Sequence, residues 1–338
     1  MMISENVSLL PYNTFHIDAT ARYFTEVDSL ETLKELQAQH VFKNQKRLIL
    51  GGGSNILLTK DFDGLVIKIS IPGITLLRED SHFWYVRASA GERWHQFVMH
   101  CVANEYAGVE NMSLIPGQIG ASPIQNIGAY GVELKDVCTH VEALHVQTGA
   151  MQIFSNEECG FGYRDSIFKQ KEKDNWIITA VHFRLHKVPR FHVNYGDIKA
   201  TLEEMRVTEL SIKAVSDAVI RIRSSKLPDP VQLGNAGSFF KNPVVPKSMA
   251  DELLLRYPIM PHFPQNDGNV KIPAGWLIEQ CGWKGKRIGQ TGAHANQALV
   301  LVNYGGATGN EVYELAMTIV QSVEAKFGIS ITPEVNLI

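Results

Sequence analysis

The four cysteines of this 338-residue chain, Cys101, Cys138, Cys159 and Cys281, are widely spaced, with no Cys-x-x-Cys pair and no cysteine–histidine cluster. That speaks against a disulfide framework or a zinc site; reduced thiols in a cytosol and no metal are the expectation. Long apolar runs are also missing. Stretches such as 298-ALVLV-302 fall far short of the ~20 residues a membrane helix needs. The opening residues MMISENVSLLPYN lack a basic start followed by an apolar core, so no signal peptide is expected. Nor is there an excess of either charge: 32 Lys and Arg against 35 Asp and Glu give a net charge of −3. A dedicated nucleic-acid binder usually carries a clear positive excess. With 45% apolar and 20% charged residues the chain is not of the disordered class. What remains is a cytoplasmic enzyme of two or three domains with ample core, and with neither nucleic acid nor membrane as partner.

Apolar periodicity and end signals place the main elements. Ser29 stands where it can cap a helix over 29–39 with Leu33 and Leu36 on one face. Strands are expected at 47–50, 64–71, 84–89 and 176–185, and a helix at 92–104. Two longer helices are expected at 210–225, ending before Pro228, and at 310–327, stopped by Gly328. Strands and helices are segregated rather than alternating, which points to an α+β fold. The two prolines of 226-KLPDPV-231 mark a boundary.

Two glycine-rich stretches stand out. Gly51-Gly52-Gly53-Ser54-Asn55 directly follows a strand and can turn several backbone N–H groups toward one anion. It is not a P-loop, because no Gly-Lys-Ser/Thr follows. It is not the dinucleotide fingerprint either, because 56–64 reads as extended and turn-like rather than helical. An ordinary tight turn would use the same residues. The second stretch, 115-IPGQIGASPIQNIGAYG-131, has four glycines, small side chains and no helical period; loops this long inside a compact domain are usually functional. The carboxamides of Gln125 and Asn126 offer donors and acceptors there.

These loops, in this order and separation, resemble the FAD-binding half of the vanillyl-alcohol-oxidase-like flavoproteins. More narrowly, the chain resembles the UDP-N-acetylenolpyruvoylglucosamine reductase family, in its longer type. The supporting segments are 12-YNTFHIDATARYF-24, 162-GYRDSIFK-169, 226-KLPDP-230, 235-NAGSFFKNP-243, 273-PAGWLIEQCGWKG-285 and 333-PEV-335, spread over essentially the whole chain. The resemblance implies a two-part FAD-binding region (1–75 and 76–225), a smaller α+β substrate domain (226–328) and a C-terminal segment (329–338) returning to the active site. It also implies non-covalent FAD, NADPH as hydride donor, a UDP-sugar substrate and a monomer.

Residue by residue, the resemblance assigns FAD binding to Gly51, Gly52, Gly53, Ser54, Asn55 and Ile56 in the first loop. In the second it assigns Pro116, Gly117, Gly120, Ala121, Ser122, Pro123, Gln125, Asn126, Gly128, Ala129 and Gly131. It implies that hydride passes from NADPH to FAD and then to C3 of an enolpyruvyl ether, while Ser238 gives a proton to C2. Arg164 and Glu334 would polarise the carboxylate, and Tyr195, Lys226, Gly237, Asn242 and Gln297 would hold the substrate. Tyr195 matches the tyrosine of a loop that closes over the substrate.

The residues also admit plainer readings. Ser238 could be a turn serine, Arg164 a partner of Asp165, and Glu334 a solvated carboxylate. Arg221, Arg223 and Lys226 could simply answer the helix dipole. Phe263 stands where the family pattern has a tyrosine, and Asn336 where it has an arginine. Another FAD-dependent oxidoreductase with a different small-molecule substrate is the alternative. In either case a net charge of −3 requires local anion sites, made by backbone N–H groups and a few cations.

Overall fold

Ser29 caps the first helix: its hydroxyl accepts the N–H of Thr32 at 3.1 Å, and Leu33 and Leu36 of Leu30–Ala38 are fully buried. A computed structural model gives residues 2–338, and these group into two units, each assembled from separated stretches of chain. The first comprises the chain up to Val7, Ala21–Gly52 and Asp63–Arg223; the second comprises Ser8–Thr20, Gly53–Phe62 and Ser224–Ile338.

In the first unit a four-stranded sheet runs in the order Ser4–Ser8, Thr20–Val27, Phe62–Ile69, Arg47–Leu50, with the last two strands parallel. Leu33 and Leu36 of helix Leu30–Ala38 and Phe42 of the short helix His40–Asn44 bury against Leu65 and Ile67. A five-stranded antiparallel sheet follows in the order Met151–Ser155, Cys138–His145, Trp176–His186, Phe83–Ser89, Ile74–Glu79. One face carries Val86, Ala88, Val141, Val181 and Phe183, packed with Trp94, Phe97 and Cys101 of helix Trp94–Ala103. Of these five strands the sequence placed two, 84–89 by its alternation and 176–185 by its branched and aromatic residues; the alternation is visible because one face of the sheet is dry and the other is not.

On the polar side, Arg87, Glu142 and His182 meet across three neighbouring strands. Arg87 grips both carboxylate oxygens of Glu142 at 2.8 Å, and His182 Nε2 lies 2.6 Å from Oε1. The Arg87 and His182 hydrogen bonds hold the Glu142 carboxyl down at about 2. A depressed carboxylate stabilises the fold fully above its unfolded value near 4.5, and this contribution drains as pH falls through about 2. Glu142→Gln is therefore expected to lower stability at pH 7 by about 1–2 kcal/mol, after allowing for solvent screening. The gap from wild type should narrow below pH 4.5 in urea titrations; a gap unchanged at pH 3 would contradict this assignment.

The second unit holds a small sheet in the order Gly234–Ser238, Val300–Asn303, Thr291–Ala293, Arg287–Ile288, and the 19-residue helix Gly309–Phe327. Thr308 and Glu311 form a capping box at the start of that helix, and Gly328 ends it at φ +67. Early segments are built into this unit: Asn235 donates its N–H to the carbonyl of Thr14 at 2.8 Å, and Asn303 Nδ2 donates to that of Phe15 at 2.8 Å. Among the described residues no helix is long and apolar enough to cross a membrane, and no cluster of three His, Cys, Asp or Glu could hold a metal.

Candidate active site

Within the first unit the two glycine stretches touch. A Cβ at Gly52 would stand 3.0 Å from Cα of Gly117, and one at Gly51 would stand 3.2 Å from Oε1 of Gln118. Behind them a Cβ at Gly120 would meet Ala90 at 2.7 Å, and one at Gly91 would meet the Ser70 backbone at 2.3 Å. At Gly52 and Gly91 the neighbour is backbone and at Gly51 and Gly120 it is the Gln118 and Ala90 side chains, so the approach of the two stretches leaves no room for a larger residue at these four positions.

Polar side chains in the second stretch hold its shape. Asn126 is fully buried at φ +44; its Nδ2 donates to Glu133 Oε2 and to the Gly162 carbonyl at 3.0 Å each, and its Oδ1 accepts the N–H of Lys135 at 3.0 Å. Ser122 donates to the Ile119 carbonyl at 2.7 Å. Both were expected among the cofactor contacts, yet these side-chain groups bond within the loop and its supports. Gln125 lies nearer the surface, where its Oε1 accepts from Lys169 Nζ at 3.3 Å.

Arg164 sits at φ +54, a conformation uncommon for a side-chain-bearing residue, and its Nη2 donates to the Gly128 carbonyl at 3.0 Å. Asp165 takes Gln170 Nε2 at 3.0 and 3.1 Å. Arg223 is the residue whose environment the sequence concealed. Of the three cations ending helix Ile212–Lys226, Arg221 faces Glu204 at 3.5 Å on the surface. Arg223 instead turns inward, with its Nε buried and without a hydrogen-bond partner. Burial lowers its pKa, the Tyr130 phenol raises it, and the Arg164 guanidinium lowers it. Two guanidinium groups near enough to repel, one with a buried unused donor, make a place for an anion.

The second unit brings Ser238 and Glu334 onto neighbouring segments. Glu334 donates its N–H to the carbonyl of Phe239 at 2.7 Å, Lys241 donates to Thr332 at 2.9 Å, and Phe240 bridges Pro333. Ser238 ends its strand after a bulge and is exposed, followed by buried Phe239 and Phe240. Gly237 is at φ +69 with open space where a Cβ would lie, and its N–H is held by Asn235 Oδ1 at 2.9 Å.

Asn242 and Gln297 converge on one helix, Ala274–Gln280. Asn242 Oδ1 accepts the N–H of Ala274 at 2.9 Å, and a Cβ at Gly275 would stand 3.0 Å from Gln297 Oε1. Lys226 ends helix Ile212–Lys226, and Asn296 Nδ2 donates to the carbonyl of its neighbour Ser225 at 3.3 Å. Phe263 is exposed. Asn336 has a visible use: its N–H and its Nδ2 both donate to the Asn55 carbonyl, at 3.1 and 2.9 Å, fixing the end of the first glycine loop.

Residues 21–155 match a family of FAD binding domains, and residues 229–338 match the C-terminal domain of UDP-N-acetylenolpyruvoylglucosamine reductase. The Flavobacterium johnsoniae protein named UDP-N-acetylenolpyruvoylglucosamine reductase is 50% identical over 100% of both chains. That from Amoebophilus asiaticus is 51% identical, again over 100% of both. The crystal structure of the Thermus caldophilus reductase (MurB) superposes with a TM-score of 0.70 over 99% of each chain at 24% identity, a likeness of fold. The α+β expectation holds, and the chain is an FAD-binding flavoprotein. Within that class it belongs to the UDP-N-acetylenolpyruvoylglucosamine reductase family.

Proposed function

We propose that this chain uses NADPH to reduce the enolpyruvyl ether of UDP-N-acetylenolpyruvoylglucosamine to the lactyl ether, giving UDP-N-acetylmuramate for peptidoglycan synthesis. The observation that carries the reading is the pairing of segment 332–334 with 239–241, which brings the backbone of Glu334 alongside the strand end bearing Ser238. Bound FAD would supply the hydride chemistry. It would be held without a covalent bond by the backbone of 51–56 and of 116–131, where the close approach of Gly52 to Gly117 and of Gly120 to Ala90 fits a flat dinucleotide.

Hydride arrival at C3 of the enol ether builds negative charge at C2 and its carboxylate. Arg164 would face that carboxylate, and an anion beside both Arg164 and Arg223 would relieve their mutual repulsion. Ser238 then gives its hydroxyl proton to C2, with Glu334 helping to polarise the carboxylate. Lys226, Asn242, Gln297 and Gly237 hold the UDP-sugar, and Tyr195 covers it. We further propose that the protein works as a monomer in the cytoplasm, with flavin-binding parts at 1–75 and 76–225, a substrate domain at 226–328 and a returning tail at 329–338.

Anaerobic stopped-flow tests this reading. The purified protein should be yellow, bleach with NADPH and recover its colour when the enolpyruvyl UDP-sugar is added. Absence of flavin absorbance, or bleaching that the substrate does not reverse, would exclude it.

A further inference from the structure

The end of the second glycine stretch and the segment bearing Tyr195 interlock. Tyr130 and Gly131 adopt φ +51 and +83, and Gly196 adopts φ +61. A Cβ at Gly131 would stand 3.6 Å from Cβ and Cδ2 of Tyr195, and a Cβ at Gly196 would stand 3.7 Å from Cδ1 of Tyr130. Each Tyr-Gly pair therefore lays its tyrosine against the other's glycine. Tyr130 and Val193 both pack against the apolar cluster formed by Ile198, Leu202, Val219 and Ile222.

One buried side chain ties the two segments together. Asn111, 1% exposed, donates from Nδ2 to the Tyr130 carbonyl at 3.0 Å and to the His192 carbonyl at 2.8 Å. A primary amide has two N–H groups on one nitrogen, so it can bridge two carbonyls; a carboxylate of the same shape cannot donate to either. The turn that presents Asn111 is itself fixed, because the buried Glu110 carboxylate accepts the N–H of Gly108 at 2.6 Å.

We propose that Asn111 is a positioning residue that couples flavin occupancy of the glycine stretch to closure of the Tyr195 segment. The proposal rests on reading 115–131 as part of the flavin site. A ligand that orders this stretch fixes the Tyr130 carbonyl, and through Asn111 the base of the segment that covers the substrate. Coupling of this kind is reciprocal: closure also tightens flavin binding.

Trypsin cleavage after Arg190 and Lys199, both exposed and flanking the segment, reports its opening. Loading the full-length, flavin-stripped wild type with FAD should slow this cleavage about five-fold, the ratio given by one ordinary buried hydrogen bond. Asn111→Asp keeps the shape without the donors, and Gly196→Ala strains an exposed turn without threatening the fold. In both, FAD should slow cleavage less than about two-fold, and the KM for the UDP-sugar should rise about five-fold with bleaching by NADPH unchanged. Full FAD protection in either variant, or no protection in a wild type that binds FAD by absorbance, would overturn the coupling. A wild type that binds no FAD would overturn the flavin reading itself.

Discussion

Ser238→Ala protein is expected to bleach with NADPH at the wild-type rate, yet to be reoxidised by the enolpyruvyl UDP-sugar at least ~100-fold more slowly, the usual scale for losing a general acid. The separation follows from where the hydroxyl stands. Ser238 is exposed at the end of its strand, so removing its oxygen leaves no cavity, and buried Phe239 and Phe240 anchor the backbone beyond it. The Asn235 Oδ1 bond to the Gly237 N–H, at 2.9 Å, holds the backbone before it. Flavin reduction by NADPH needs no proton at C2, whereas the second half-reaction does. Stopped-flow traces followed at the flavin band separate the two. Equal slowing of both, or of neither, would remove Ser238 from the proton-donor role.

Much of this was legible because the signals are local. A cap at Ser29, a stop at Gly328 and alternation in Phe83–Ser89 each depend on residues a few positions apart. The glycine stretches were legible as well, since small residues without helical period leave few other uses. What escaped was set by pairing across the chain. The return of segments 8–20 and 53–62 into the second unit depends on bonds such as Asn303 to Phe15, which carry no sequence signature. Arg223 looked like one more cation at a helix end. Its neighbour two residues before it reaches Glu204 at the surface while the half-buried Arg223 turns its Nε inward, within the field of Arg164, and only the fold separates these fates. Asn126 illustrates the opposite case: its place in the loop was evident, but a carboxamide bonded to Glu133, Gly162 and Lys135 shapes the loop's own backbone. Asn336 departs from the family pattern yet secures Asn55 by two hydrogen bonds, a role that its position after Pro-Glu-Val does not announce.

Gly52→Val should weaken FAD binding about 100-fold, the upper end of what overpacking by 1–3 kcal/mol produces. Gly52 does not adopt a positive φ, so contact rather than backbone strain decides the outcome. A Cβ there would stand 3.0 Å from Cα and 3.5 Å from the carbonyl carbon of Gly117, and both partners are backbone atoms that cannot rotate aside. Two further methyl groups must push the glycine stretches apart, widening the surface on which the dinucleotide would lie. FAD fluorescence quenching during titration into the flavin-stripped protein measures the effect. The thermal shift that FAD confers on wild type should largely vanish, because ligand stabilisation scales with occupancy. Gly282→Ala is the control: Gly282 lies at φ +77 with nothing within 4 Å of a Cβ, so it should lose about 1 kcal/mol of stability to strain and leave FAD affinity alone. Equal loss of affinity in both variants would trace the effect to general destabilisation. Retention of affinity within about three-fold in Gly52→Val would show that the contact between the two stretches does not set the shape of the flavin site.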